Sequence, residues 1–205
     1  MSQVESRIYL ASRSPRRREL LHQIGVRFDL LVFRAPPRED LEVSEEILPG
    51  ESPEDYVVRV ARAKAAHGTN LVSERHIIPR PLLAADTTID LDGEIIGKPR
   101  DEADAAAILM RLSGRSHRVL TAIAVANGPR TEHQLNISTV RFRDLSEEEI
   151  RRYAISGEPL DKAGAYAMQG HAAMFVAEIQ GSHSGIVGLP LCETALLLRR
   201  FGYPL

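Results

Sequence analysis

A handful of short stretches carry the side chains from which a site could be built. Ser12-Arg13-Ser14-Pro15-Arg16-Arg17-Arg18 crowds guanidiniums where a short apolar run gives way to a helix start. Exposed N–H groups at such a start favour an anion, and arginine adds bidentate donors. Spacing alone leaves a phosphate site and a solvated basic turn both open. The stretch lacks the glycines and the Gly-Lys-Ser/Thr ending of a Walker loop, and it is no dinucleotide fingerprint. Asp86, within Ala84-Ala85-Asp86-Thr87-Thr88, closes a run of small and apolar residues. Ligands of open α/β sheets collect at the carboxyl ends of strands, so Asp86 suits a divalent metal, an oriented water or a turn cap.

Three further places offer polar chemistry. Lys98 sits between Gly97 and Pro99, a turn that either aims the ammonium at a ligand or leaves it in solvent. Residues Gly157 to Gly170 have little helical or strand periodicity, as functional loops often do. Gln169 within them could read a base edge or satisfy backbone groups. Glu39-Asp40-Leu41-Glu42 offers carboxylates for a metal, or simply a solvated face. The seven histidines show no paired metal-ligand spacing. Cys192 reads as a small core residue, and no Gly-x-Ser-x-Gly elbow is present.

These groups need elements to hold them. Ile8 to Ala11 reads as a strand. Ser14 then suits an N-cap and Pro15 the first helical position, with Gly25 ending the helix. Phe28 to Phe33 is a second strand, and Ala35 to Gly50 a polar loop. Ser52-Pro53 repeats the start signal for a helix through Lys64 and Ala65. Leu82 to Asp90 is a buried strand, and Asp92-Gly93 turns it into Glu94-Ile95-Ile96. Asp101 caps a helix through Met110. Arg118 to Ala126 and Gln134 to Phe142 flank Asn127-Gly128-Pro129. Ser146 and Glu149 form a capping box for a helix to about Ile155. Phe175 to Ile179 is a strand, and Pro190 to Arg200 a final helix with Ala195, Leu196 and Leu198 on its apolar side. Alternating strands and helices with interspersed hairpins predict an α/β fold, a mixed central sheet with helices on its faces.

Composition sets the outer bounds. The 205 residues carry 26 basic and 28 acidic side chains, a net charge of −2, with 43% hydrophobic residues. That is ordinary for a globular chain and gives no overall basic field for a nucleic-acid polymer. One cysteine excludes an intramolecular disulfide and a thiolate cluster. No apolar run reaches membrane-spanning length, and the N-terminus has no signal-peptide layout. A cytoplasmic protein is the expectation.

The motifs taken in order resemble the Maf family of nucleoside triphosphate pyrophosphatases. They are Leu10-Ala11-Ser12-Arg13-Ser14-Pro15-Arg16-Arg17, Ala85-Asp86-Thr87, Gly97-Lys98-Pro99, Leu112-Ser113-Gly114-Arg115-Ser116-His117, Asp161-Lys162-Ala163-Gly164-Ala165-Tyr166 and Gly188-Leu189-Pro190. Arg16, Thr87 and Gln169 place the chain nearest the branch associated with dTTP and UTP, and the other branch is associated with 7-methyl-GTP. The resemblance implies one Maf-like domain over residues 1–205, with two lobes around a cleft and a fold like that of the inosine triphosphatases. It implies hydrolysis between the α and β phosphates, a divalent cation (Mg²⁺ or Mn²⁺) and a homodimer. It makes Asp86 the catalytic acidic residue and a possible metal ligand. It makes Ser12, Arg16, Arg17, Lys64, Lys98 and Gln169 substrate contacts, and Thr87 a specificity position. The family's acidic match after the second strand falls on Glu39, with Asp40 and Glu42 as alternatives. A pyrophosphatase for modified purine nucleotides and a nucleotide-binding regulator of cell division are the competing readings.

Overall fold

The computed structural model describes residues 6–32 and 43–205. Its strands are β1 (Ile8–Leu10), β2 (Phe28–Leu30), β3 (Leu82–Leu91), β4 (Glu94–Ile96), β5 (Ser116–Asn127), β6 (Arg130–Phe142) and β7 (Val176–Gln180). They form a single sheet in the order β2-β1-β3-β5-β6-β7, with β4 also paired to β3. β1 runs parallel to β2 and β3, and every other pairing is antiparallel. The expected mixed sheet with flanking helices is what forms.

Side-chain alternation explains its two covered faces. Ile8, Leu10, Leu83, Ala85, Ile123 and Val125 face one way, beneath α1 (Pro15–Gln23) and α6 (Leu191–Arg200). Tyr9, Leu82, Ala84, Ala122, Ala124 and Ala126 face the other, beneath α2 (Pro53–Glu74). The second set is mostly alanine, and it meets Ala61 and Ala65 of α2, both fully buried. Small residues on both partners bring this helix close to the strands, a geometry Lys64 exploits below.

A third buried cluster surrounds Phe142 and gathers α3 (Glu102–Leu112), α4 (Glu147–Ala154) and the ends of β3 and β5. Phe142 meets His117 and Tyr166 edge-on, with ring centroids 5.1 and 4.9 Å away. His117 Nε2 lies 2.9 Å from the Tyr166 hydroxyl.

One irregularity decides the rest. β5 accompanies β3 from Leu82 to Asp90 on one edge. The opposite edge is shared by β1, registered with Leu82 and Leu83, and by β4, registered with Ile89 to Leu91. On that second edge no described strand pairs with residues 84–88, so the sheet is split beside Asp86.

Local signals acted as expected at Ser52, Asp101 and Ser146, whose side chains accept from the backbone N–H three residues on. The Ser146–Glu149 capping box is complete. Other expectations are corrected. α2 continues to Glu74, well past Ala65, because Leu71 and Val72 keep its buried face. Ser14 stands at the N-cap of α1 but makes no side-chain capping bond. Cys192 is exposed, not a core residue. It lies on the outer side of α6, as does Leu196 at 55% exposure, while Thr194, Leu197 and Leu198 turn inward. The short helix α5 (His183–Val187) was not anticipated. No helix among the described residues is long and apolar enough to cross a membrane.

Burial makes His117 a sensor of acid. It is 2% exposed, and desolvation pushes its pKa from 6.5 down to about 4. The unfolded chain therefore takes up this proton first, so stability falls as pH drops from about 6.5 towards 4. His117→Gln keeps a hydrogen-bonding partner for Tyr166 without titrating there. Urea midpoints measured across that range should fall less steeply in the variant. An identical slope would place the acid sensitivity elsewhere.

Candidate active site

The split edge of β3 opens into a cavity of about 850 Å³. Ser12, Arg16, Arg17, Lys64, Asp86, Thr87, Lys98 and Gln169 all line it, although they come from widely separated parts of the chain. Glu39, Asp40 and Glu42 lie outside the described residues.

Asp86 forms the floor, 8% exposed. The Lys64 ammonium donates to its Oδ1 at 2.8 Å, and Oδ2 has no partner among the described residues. The same ammonium lies 2.6 Å from Glu45 Oε1, and Lys98 Nζ lies 3.7 Å from Glu45 Oε2. Burial opposes the Glu45 charge, but Lys64 above all, with Lys98 and Arg17, holds its pKa below the usual carboxylate range. Two carboxylates thus converge on one lysine. Sequence reasoning missed Glu45 because it counted forward from the second strand. Counting back from the Ser52 helix start would have found it, since α2 supplies the groups that hold it. Among the described residues, no set of three or more His, Cys, Asp or Glu side chains is grouped to hold a metal.

The start of α1 is built for an anion. Its N-cap Ser14 is extended but does not cap, and Pro15 has no N–H to satisfy. Instead the Ser14 N–H donates to Ser12 Oγ at 3.2 Å. The first-turn N–H groups are left without a side-chain cap at the cavity wall, where the positive end of the helix dipole adds to their pull. Arg16 stands beside them with its Nε buried and unpartnered. Burial lowers the Arg16 pKa, and the nearby Asp161 carboxylate opposes that shift. An arginine held in this way has unused hydrogen-bonding capacity for a phosphate.

Arg17 is arranged differently. Its Nε donates to the Gly188 carbonyl at 2.8 Å, and Nη1 to the Ala85 carbonyl at 2.9 Å and Ser12 Oγ at 3.3 Å. Nη2 donates to Thr87 Oγ1 at 3.2 Å. Four of its five N–H groups are thereby engaged with protein. Ala85 and Thr87 are the immediate neighbours of Asp86, so Arg17 grips β3 on both sides of it. Thr87 Oγ1 lies 2.9 Å from Thr121 Oγ1, which donates to the Gly185 carbonyl at 2.8 Å. This fixes the sense of the chain. Thr121 gives its proton to Gly185, so Thr87 gives its own to Thr121 and accepts from Arg17. Thr87 has no proton left for a ligand.

The far wall is a loop locked in an unusual conformation. Gly164 has φ +71°, and a Cβ there would fall 2.5 Å from Ile89 Cγ1. Its N–H donates to the Gly97 carbonyl at 2.9 Å. The turn bearing Lys98 and the loop bearing Lys162 and Gln169 are therefore joined. Lys162 pairs with Asp161, and Gln169 is exposed on the cavity wall.

With this geometry in place, comparison with known proteins is decisive. The chain matches the family model for Maf-like proteins over residues 7–201. It belongs to the Maf family. Two Maf relatives named dTTP/UTP pyrophosphatase are similar over nearly the whole chain. That of Dechloromonas aromatica (strain RCB) is 59% identical over 197 residues, covering 96% of this chain and 98% of the relative. That of Aromatoleum aromaticum is 58% identical over 206 residues, covering 100% of both. Among solved structures, the Ham1 protein of Staphylococcus aureus shares the fold, with a TM-score of 0.52 at 16% identity over 95% of this chain and 99% of that one.

The two arginines of the Maf helix start should therefore behave differently when each is replaced by lysine. Arg16→Lys should chiefly raise KM for a nucleotide, because a free donor group is lost. Arg17→Lys should chiefly lower kcat and the melting temperature, because one ammonium cannot replace a fork bound to three elements. Steady-state kinetics and thermal melts of both variants decide this. A rise in KM alone for Arg17→Lys would make it a substrate contact instead.

Proposed function

We propose that this Maf protein hydrolyses dTTP and UTP at the α–β anhydride, giving the nucleoside monophosphate and pyrophosphate. The observation that carries the reading is the Lys64 ammonium shared by Asp86 and Glu45 on the floor of a cation-lined cavity. The substrate names come from relatives that are 58–59% identical over almost the whole chain. We further read residues 1–205 as one Maf-like domain whose two lobes meet at this cavity, acting in the cytoplasm as a homodimer. Its partner is the nucleotide, not a nucleic-acid polymer.

The geometry supports the chemistry as follows. The uncapped start of α1 and Arg16 bind phosphate oxygens, and Lys98 adds charge from the facing turn. Lys64 holds Asp86 Oδ1 and leaves Oδ2 to orient a water. In-line attack forms the new P–O bond at the α phosphorus as the bond to the bridging oxygen breaks. The water's proton passes to Asp86, and pyrophosphate carries away the electron pair. Positioning and charge neutralisation supply most of such a rate enhancement.

The residues also fit a divalent cation. Asp86 and Glu45 present hard oxygen donors on one side of the cavity, the donor type and number with which Mg²⁺ or Mn²⁺ is shared between protein and phosphate. When bound, the ion supplies neutralisation of phosphate charge and a more acidic water. Glu45 is the carboxylate that the described residues offer beside Asp86, and Glu39 lies outside them.

Pyrophosphate release should be measured over a panel of pyrimidine and purine triphosphates, with Mg²⁺ and with chelator. dTTP and UTP should be preferred, and chelation should remove activity. In ¹⁸O-labelled water the label should enter the monophosphate. Purine preference, or release of orthophosphate, overturns the reading. Asp86→Asn should lower kcat by about 10²–10⁴ while nucleotide binding persists. Near-normal turnover would remove Asp86 from the mechanism.

Base selection is proposed for Gln169, whose amide offers one donor and one acceptor to the O4/N3–H edge of uracil or thymine. Gln169→Glu turns the donor into an acceptor facing O4, so kcat/KM for UTP should fall about tenfold or more. An unchanged value would leave the base unread by this residue.

A further inference from the structure

Glu45 reaches the site from a segment without regular secondary structure, and the structure shows what holds it there. Residues 44–46 lie against two side chains of α2. Arg59 Nη2 donates to the Glu46 carbonyl at 2.8 Å, and Nη1 to the Ser44 carbonyl at 3.4 Å. Tyr56 donates its hydroxyl to the Glu45 carbonyl at 3.1 Å, and the Arg59 guanidinium lies over the Tyr56 ring at 5.5 Å. Three successive carbonyls are thus gripped by two side chains one helical turn apart. Arg59 is itself held by Glu51, whose two oxygens lie 2.5 Å from Nε and 2.8 Å from Nη2. The Glu51 side chain is only 8% exposed. Its Oε2 also accepts the Leu48 N–H at 3.1 Å, closing the far end of the segment.

We propose that Arg59, locked by Glu51, is a positioning residue that delivers the Glu45 carboxylate to Lys64 and Lys98. Its guanidinium does not itself line the cavity and touches none of the reacting groups. It acts by fixing the backbone on both sides of Glu45. Only a planar fork serves here, because the bonds to Glu51 and to two backbone carbonyls leave the group in three directions. A lysine could keep the ion pair with Glu51 but not both carbonyls. The proposal rests on the reading above, in which Glu45 belongs to the catalytic machinery.

The test combines hydrogen–deuterium exchange with a double-mutant cycle in the full-length protein. Arg59→Ala should speed exchange across residues 43–51 and leave the β5–β6 hairpin unchanged. It should lower kcat/KM for the preferred nucleotide by about tenfold or more. In a Glu45→Gln background the same change should cost no more than about twofold, since the group it positions is already disabled. Arg59→Lys should resemble Arg59→Ala. Glu51→Gln, a milder change, should reproduce the exchange signature if Arg59→Ala does not fold. Equal losses with and without the Glu45 carboxylate would overturn the proposal, as would unchanged exchange in residues 43–51 or full rescue by lysine. Wild-type kcat/KM in Glu45→Gln alone would instead defeat the reading of Glu45, a separate result.

Discussion

The site depends on how an interrupted strand edge is satisfied. β3 is paired along one edge by β5 and, among the described residues, along the other only at its two ends. Backbone carbonyls on an inner strand cannot go unpaired without a cost comparable to a lost hydrogen bond. The Ala85 carbonyl, in the gap, is met by Arg17 from α1. That substitution of a side chain for a strand has two effects. It keeps the gap open to a ligand, and it anchors α1, α5 and the middle of β3 to one guanidinium. Asp86 is positioned because its neighbours on both sides are held.

Charge in this gap is balanced before any nucleotide arrives. Burying lysines and arginines is expensive unless anions accompany them. Asp86 and Glu45 accompany Lys64, Glu45 also faces Lys98, and Asp161 lies close enough to Arg16 to oppose its desolvation. A triphosphate therefore enters a site whose cations are already in place, a form of preorganisation that avoids rearrangement during reaction. The near-neutral composition is an average over local concentrations of opposite sign, and it was informative only about what the protein does not bind.

Much of this was legible in the residues. The β5–β6 hairpin follows from long alternating runs around Asn127-Gly128, and the helix starts at Ser52, Asp101 and Ser146 follow from local capping chemistry. The eight cavity residues named from the motifs converge in space. What was not legible depended on tertiary context. Ser14 looks like a cap in sequence, but its neighbours Ser12 and Pro15 alter the local bonding. Cys192 faces outward because the phase of α6 is set by Thr194, Leu197 and Leu198. Arg16 and Arg17 are the same residue type side by side, yet helical geometry leaves one without a partner for its buried Nε and sends the other to four carbonyl and hydroxyl partners. Only its distance from the Ser52 helix start marks Glu45, since the segment that carries it has no periodicity and is ordered by α2.

The bond between Arg17 and Gly188 joins residues 171 positions apart. Contacts of such separation form late, after the local hairpin and helices that reward folding earlier. A chain still being synthesised has α1, β3 and Asp86 long before α5 has emerged, so it holds every charged group of the site without the geometry. Competence to cleave a nucleotide thus waits on α5, which arrives after the charged groups whose geometry it completes.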